Sequence, residues 1–238
     1  MKTIVQKMIA AGAGLFLTTN VSVYGDLLYS DATTDTGHSL SFVNGTTIGN
    51  ELVMAGAASF DTLTSFSFEY YSTESAFVGA DVQMVVILYA NTGAPFNGYA
   101  TPSTILYNSG LFPLSTPQQY VGGNAATLNF DLSTTPVTVP RDFTLAIEVT
   151  GLDSGDSVGM ELFDPATVGQ NSGDYWLNSG RGWELDHNLA GIPTDFGARF
   201  EGVSAVPEPT ACGAIAGAWL LALCSLRLWR QRRFWRNI

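Results

Sequence analysis

Apolar and polar side chains alternate with a period of two in several short stretches, and this pattern restricts the fold more than any other feature of the sequence. In the stretch 64–71, Phe66, Phe68 and Tyr70 alternate with small or charged side chains. The stretch 143–150 alternates in the same way. Because successive side chains of a β-strand point to opposite faces, each stretch predicts a strand with one buried and one solvated face. We therefore expect Phe66, Phe68 and Tyr70 to face the core.

The rest of the region between the two termini has the same β character. The stretch 82–89 is apolar at nearly every position, as in a strand covered on both faces. Turn formers such as Asn44-Gly45 and Asn97-Gly98 separate the candidate strands, and no stretch has a convincing amphipathic helical period. The sequence predicts an all-β body over 26–205, folded as a single antiparallel β-sandwich that is jelly-roll-like. The shorter candidate strands are 27–30, 40–43, 51–54, 105–111, 127–132, 158–163, 175–178 and 196–200.

The predicted body is strongly acidic. It contains three basic residues other than histidine, Arg141, Arg181 and Arg199, against twenty acidic residues, which gives a formal charge of −17. Such a charge repels phosphate backbones and excludes nucleic acid as a partner. The two cysteines, Cys212 and Cys224, both lie near the C-terminus, so the body has no disulfide, thiol nucleophile or thiolate metal ligand. Its stability must come from an apolar core.

The N-terminus has the composition of an export signal. Lys2 and Lys7 precede or flank an apolar segment over 8–17, and small residues at 23–25 offer a cleavage site. We interpret residues 1–25 as a secretory signal peptide. An N-terminal membrane anchor is the alternative, because the residues at 23–25 depart from the preferred small-x-small pattern.

The C-terminus combines three elements in a fixed order. A proline-rich motif over 206–210 precedes a predicted transmembrane helix over 211–228, which overlaps an arginine-rich end over 227–236. Arginines that flank a short tail are retained in the cytoplasm, so we expect the body to lie on the outer side of the membrane. The alternative is a plain single-pass anchor. The motif comprises Val206, Pro207, Glu208 and Pro209, and the retained cations are Arg227, Arg230, Arg232, Arg233 and Arg236.

This tail resembles the PEP-CTERM sorting domain, the exosortase substrate signal of Gram-negative bacteria. The resemblance covers 206–238 and implies an inner-membrane intermediate, a transient membrane helix and an exosortase-type transpeptidase that acts near Pro207. The body is similar to secreted β-sandwich proteins of Planctomycetes and Verrucomicrobia that carry the same tail, on the residues Leu28-Tyr29-Ser30, Phe66 to Tyr71, Asp174-Tyr175-Trp176 and Phe196 to Phe200. That resemblance implies a location at the cell surface or in the extracellular matrix and no assigned catalytic residues.

The sequence contains no catalytic motif. His38 and His187 are far apart in polar surroundings, which is typical of solvated residues, although a triad assembled from distant residues remains compatible with the composition. Glu69, Glu148 and Asp131 alternate with apolar residues, as on a solvated strand face rather than at the paired carboxyls of a glycosidase. We predict no cofactor.

One acidic segment is a weak candidate for calcium. Asp153 and Asp156 could donate oxygens to Ca²⁺, but they lack the rest of a known ligand loop, so a plain turn is the favoured interpretation.

The stretch 173–185 is the best candidate for a binding surface. Trp176 and Trp183 flank a turn that contains Arg181, with Tyr175 beside the first tryptophan. Exposed aromatic rings stack on sugars, so these four residues could form a carbohydrate site. The alternative, which we favour, is that both tryptophans fill the sandwich core.

The sequence therefore predicts an exported, non-enzymatic surface or matrix protein, associated with exopolysaccharide or biofilm. A carbohydrate-binding module that uses Trp176 and Trp183 is the first alternative, and a polysaccharide hydrolase is the second. Exposure of the two tryptophan rings would favour the module, and two close carboxyls in a cleft would favour the hydrolase.

Overall fold

The structure is a computed structural model that describes residues 25–72, 82–114, 126–187 and 191–204. The predicted signal peptide lies outside these ranges except for Gly25, and so does the tail 206–238. The described residues form antiparallel strands and contain no α-helix, which confirms the all-β prediction. The strands are β1 (Asp26–Asp31), β2 (Asp35–Ser41), β3 (Thr47–Val53), β4 (Phe60–Ser72), β5 (Gln83–Ala90), β6 (Pro95–Phe96), β7 (Tyr99–Ala100), β8 (Thr104–Asn108), β9 (Phe112–Pro113), β10 (Ala126–Asp131), β11 (Val137–Pro140), β12 (Asp142–Thr150), β13 (Val158–Phe163), β14 (Gln170–Asn178), β15 (Trp183–Asp186) and β16 (Ala198–Ser204).

Two large sheets pack in a sandwich-like arrangement. Sheet A has the order β1-β16-β4-β13-β2, and β10 and β11 also pair with β4. Sheet B has the order β15-β14-β3-β12-β5-β8, and β9 also pairs with β5. Strands β6 and β7 form a small separate hairpin, whose turn Asn97-Gly98 has positive φ at both residues, as a tight two-residue turn requires.

Aromatic side chains fill much of the space between the two sheets. Phe66, Phe68 and Tyr70 of β4 are buried, so the predicted phase of this strand is confirmed. The Phe66 ring stacks on Phe130 with centroids 4.5 Å apart, and Phe143 of sheet B meets Phe200 of sheet A edge to face at 5.3 Å. These contacts join the two sheets into one core.

The stretch predicted as a strand covered on both faces is β5, which lies between β12 and β8 in sheet B. Its core face carries Met84, Val86 and Leu88, and Ile87 on the other face is also buried. Each of the shorter predicted stretches overlaps a strand. The strands without a sequence prediction, β6, β7, β9, β11 and β15, are four residues or fewer, too short for a period to emerge.

Candidate functional site

The β14–β15 hairpin contains the aromatic residues that the sequence singled out, and it sends them in different directions. Tyr175 belongs to the core between the sheets, and its hydroxyl donates a hydrogen bond to Asp186 Oδ2 at 2.9 Å. Trp176, the next residue, projects from the opposite face of sheet B, because neighbouring residues of a strand alternate. Trp176 is thus absent from the apolar cluster between the sheets.

Trp176 is nonetheless fully buried. It pairs with Gly49 of β3, and a Cβ at Gly49 would lie 2.7 Å from Thr144 Cγ2 and 3.5 Å from the Trp176 Cβ. Ala146 of β12 lies in the same row, and Thr144 and Ala146 are both buried. We call this surface, formed by Gly49, Glu51, Thr144, Ala146 and Trp176, the outer face of sheet B. Trp176 leaves no ring face free for a ligand.

Trp183 has a different environment. It is half-buried, and its ring meets Tyr89 of β5 edge to face with centroids 5.6 Å apart. Strand β15 is at one edge of sheet B and β5 is four places away in the strand order, so the two rings meet across the outer face. Arg181 is exposed in the hairpin turn between two glycines with positive φ. The four residues of the predicted carbohydrate site are thus divided between the core, the outer face and the solvent.

Two carboxyl groups meet beside Trp176 on the outer face of sheet B. Glu51 of β3 and Asp142 at the start of β12 lie close together, and burial, followed by the negative charge of Asp142, raises the pKa of Glu51 from 4.5 to about 7. The indole N–H of Trp176 opposes this rise in the pKa of Glu51. It is not close enough or well enough aligned to count as a hydrogen bond. The Glu51 carboxyl therefore keeps its proton to a higher pH than an ordinary glutamic acid.

An amide and a hydroxyl extend this carboxyl pair. Asn91 Nδ2 donates to Asp142 Oδ1 at 2.8 Å, and Thr144 Oγ1 donates to Asn91 Oδ1 at 2.7 Å. The network offers both donors and acceptors to hydroxyl groups, next to the half-buried rings of Tyr89 and Trp183. Sequence analysis missed Glu51 and Asp142, since no local motif marks them and only the pairing of β3 with β12 brings them together.

The acids that the sequence assigned to a solvated strand face differ from one another. Asp131 is exposed, and a hydrogen bond from Ser133 lowers its pKa. Glu148 is half-buried and accepts a hydrogen bond from Thr47 Oγ1 at 3.1 Å. Glu69 is also half-buried, and burial with the charge of Asp35 raises its pKa. None of the three is paired with a second carboxyl by a hydrogen bond.

Glu161 of β13 is more deeply buried than these acids, with a relative exposure of 4%. Burial, and then the charges of Asp35 and Glu69, raise its pKa from 4.5 to about 7. The folded state therefore holds a proton that the unfolded state releases between about pH 4.5 and 7, and this group makes the fold less stable as the pH rises through that window.

We expect Glu161→Gln to raise the thermal midpoint at pH 8, where the native carboxylate is charged, and to leave it nearly unchanged at pH 5. Thermal unfolding of the purified full-length chain at both pH values measures this. Glu184→Gln, on the exposed side of β15, is the control and should have no effect at either pH. If Glu161→Gln changes the thermal midpoint equally at pH 5 and pH 8, the change comes from packing and not from the charge of Glu161.

Another group of buried polar residues lies at the C-terminal end of β1. Asp31 and Asp195 have no exposed surface. Burial raises the pKa of Asp31 to about 6, and burial with the charge of Asp31 raises that of Asp195 to about 7. Tyr29 is buried beside them, and the pKa of its phenol is raised by burial and by both charges.

The remaining predicted sites fall in turns or outside the described residues. Asp156 Oδ2 accepts a hydrogen bond from the Asp153 backbone N–H at 2.8 Å, which is the geometry of a closed turn. His38 and His187 are exposed, and His187 Nδ1 lies 3.2 Å from Asp174 Oδ1. The sorting motif 206–209 and the tail arginines lie outside the described residues.

Metal-ligand groups and membrane-spanning helices are both absent from the part of the chain that the structure describes. There, no three His, Cys, Asp or Glu side chains are grouped as metal ligands. No helix within the same ranges has the length and apolar character needed to span a bilayer.

Comparison with known proteins found no relative. No protein family model, no curated protein and no solved structure matches this chain.

Proposed function

We propose that this chain is an exported, non-enzymatic protein of the cell surface or extracellular matrix of a Gram-negative bacterium. The observation that carries the proposal is the order of the tail, in which Val206-Pro207-Glu208-Pro209 precedes an apolar segment and an arginine cluster. An exosortase-type system recognises the tail, and the membrane helix is a temporary anchor. The acidic sandwich is the part that remains at the surface, where it associates with exopolysaccharide.

The proposed topology of the sandwich is jelly-roll-like. From β3 onward, the strands of six residues or more alternate between the sheets: β3, β5, β12 and β14 belong to sheet B, and β4, β10, β13 and β16 belong to sheet A. Such alternation is typical of double-sheet jelly rolls, which present broad strand faces and connecting loops to ligands.

We expect the mature protein to begin at Asp26 and to end between Val206 and Thr210. Intact mass spectrometry of material recovered from the surface of the producing cells measures both ends. A chain with Pro207, Glu208 and Pro209 all replaced by alanine should keep its tail and stay in the inner membrane. Recovery of native surface protein that still ends at Ile238 would refute the proposal.

A second candidate function is carbohydrate binding on the outer face of sheet B. It is supported by the edge-to-face pair of Tyr89 and Trp183, both half-buried, beside the Glu51, Asp142 and Asn91 network. Sugars stack on partly exposed aromatic rings while acids and amides bind their hydroxyls. In this version of the hypothesis Tyr89 replaces Tyr175 and Trp176, whose rings are buried.

Affinity electrophoresis of the full-length chain in gels that contain purified exopolysaccharide tests this second function. Trp183→Ala should abolish the retardation, whereas Phe60→Ala, an exposed aromatic on sheet A, should preserve it. Equal migration with and without polysaccharide would remove the carbohydrate-binding hypothesis. If the native chain releases reducing ends from the polysaccharide and Glu51→Gln does not, the polysaccharide hydrolase is supported instead. Glu51 and Asp142 would then be its paired carboxyls.

A further inference from the structure

A bulge in β14 holds two buried carboxylates close together at one end of the sandwich. Between Asn171 and Tyr175 the strand has three residues where its partner β3 has one. Asn171 Nδ2 donates to Asp31 Oδ2 at 2.8 Å, and the Gly173 N–H donates to Asp195 Oδ1 at 3.2 Å. The same bulge therefore fixes one carboxylate from β1 and one from the segment that precedes β16.

Each of these carboxylates has one oxygen that is bonded and one that is not. Asp31 Oδ1 and Asp195 Oδ2 are buried without a hydrogen-bond partner, and so are the hydroxyls of Tyr29 and Thr194. All four residues have a relative exposure of 1% or less. Leaving a buried polar atom unpaired costs about 1 to 3 kcal/mol, more when the atom is charged. Four such atoms in one small region indicate that a binding partner completes the site.

No basic side chain of the described body compensates these negative charges. Of its three arginines, Arg199 forms an ion pair with Glu201, Arg141 donates to the Met54 carbonyl beside Asp61, and Arg181 is exposed in the hairpin turn. The carboxylate of Asp164 adds a further negative charge near both Asp31 and Asp195. A positively charged partner would satisfy these oxygens and offset their negative charge.

The unpaired atoms are all oxygens, which selects a hard cation. Calcium accepts six to eight oxygen ligands in flexible geometry, whereas magnesium requires an octahedron and keeps several waters. Transition metals prefer the nitrogen and sulfur ligands that this cluster lacks. We propose that Asp31 and Asp195 bind a calcium ion at the bulge of β14, with the hydroxyls of Thr194 and Tyr29 as neutral oxygens. The site ties β1, β14 and the segment before β16 to one another.

The purified full-length chain, treated with chelator and dialysed, is the material for the test. Calorimetric titration with CaCl₂ should give one site per chain, and calcium should raise the thermal midpoint. MgCl₂ at the same ionic strength should raise it much less. Equal effects of the two salts would mean that divalent cations only screen the charge of −17 on the body, residues 26–205, which would overturn the proposal. An absence of calcium binding would overturn it as well.

Substitutions locate the ion within the chain. Asp195→Asn should abolish calcium binding, and Asn171→Ala, which removes the bond that orients Asp31, should weaken the affinity by about 10- to 100-fold. Because Asp195→Asn can also prevent folding, the milder Asn171→Ala keeps the test decisive.

Two controls separate this site from other acids. Asp61→Asn replaces a buried aspartate elsewhere, and Asp153→Asn alters the acidic turn that the sequence suggested for calcium. Both should bind calcium as the parent chain does. Loss of binding in Asp153→Asn with retention in Asn171→Ala would place the ion in the turn and refute the proposed site.

Discussion

Phe68→Ala is expected to lower the free energy of unfolding by about 3 to 5 kcal/mol, the usual effect of emptying a large aromatic site in a core. The Phe68 side chain is completely buried, and its ring packs on Phe130 of the neighbouring strand. The surrounding strands are held in register on both sides of β4, so the cavity cannot close easily. Urea unfolding of the full-length chain, monitored by circular dichroism, gives the value.

Phe60→Ala is the matched control for this substitution. Phe60 lies at the start of the same strand but is 54% exposed, so its replacement should change stability by no more than about 0.5 kcal/mol. A cost below about 1 kcal/mol for Phe68→Ala would contradict the assignment of Phe66, Phe68 and Tyr70 to the core face.

Trp176→Ala is expected to cost about 3 to 5 kcal/mol as well, because the whole indole is buried on the outer face of sheet B. Trp183→Ala should cost only about 1 to 2 kcal/mol, since a half-buried ring contributes part of its apolar area. Urea unfolding of both variants in parallel measures the difference. Similar costs for the two would mean that the hairpin buries Trp183 as completely as Trp176.

The strand pattern could be predicted from the sequence because it depends on neighbouring residues. The alternation around Phe66 and Phe68 indicates which side chains share a face. Their apolar character then predicts that this face is buried. The location of Trp176 could not be predicted in this way. Alternation places it on the face opposite Tyr175, but only its burial in the structure and the contact of Trp183 with Tyr89 show that the outer face is covered too.

The polar clusters were beyond local sequence analysis for a related reason. Glu51 and Asp142 meet through the pairing of β3 with β12, and Asp31 and Asp195 meet through a bulge in a third strand. Each acid alone resembles the many other acids of this chain. Their chemistry arises from partners that are distant in the sequence, and no periodicity encodes those partners.

The pairing of β1 with β16 has a consequence for the order of events during synthesis. The first strand of the body has the last strand as its neighbour in sheet A, so its ladder cannot be complete before Gly202 is available. Contacts between such distant segments are slow to form, because a long loop must close first. During synthesis from the N-terminus, β1 is therefore made before its partner strand exists, and sheet A stays incomplete until β16 pairs with it. The sandwich therefore cannot complete its folding until its C-terminal strand, β16, has been synthesised.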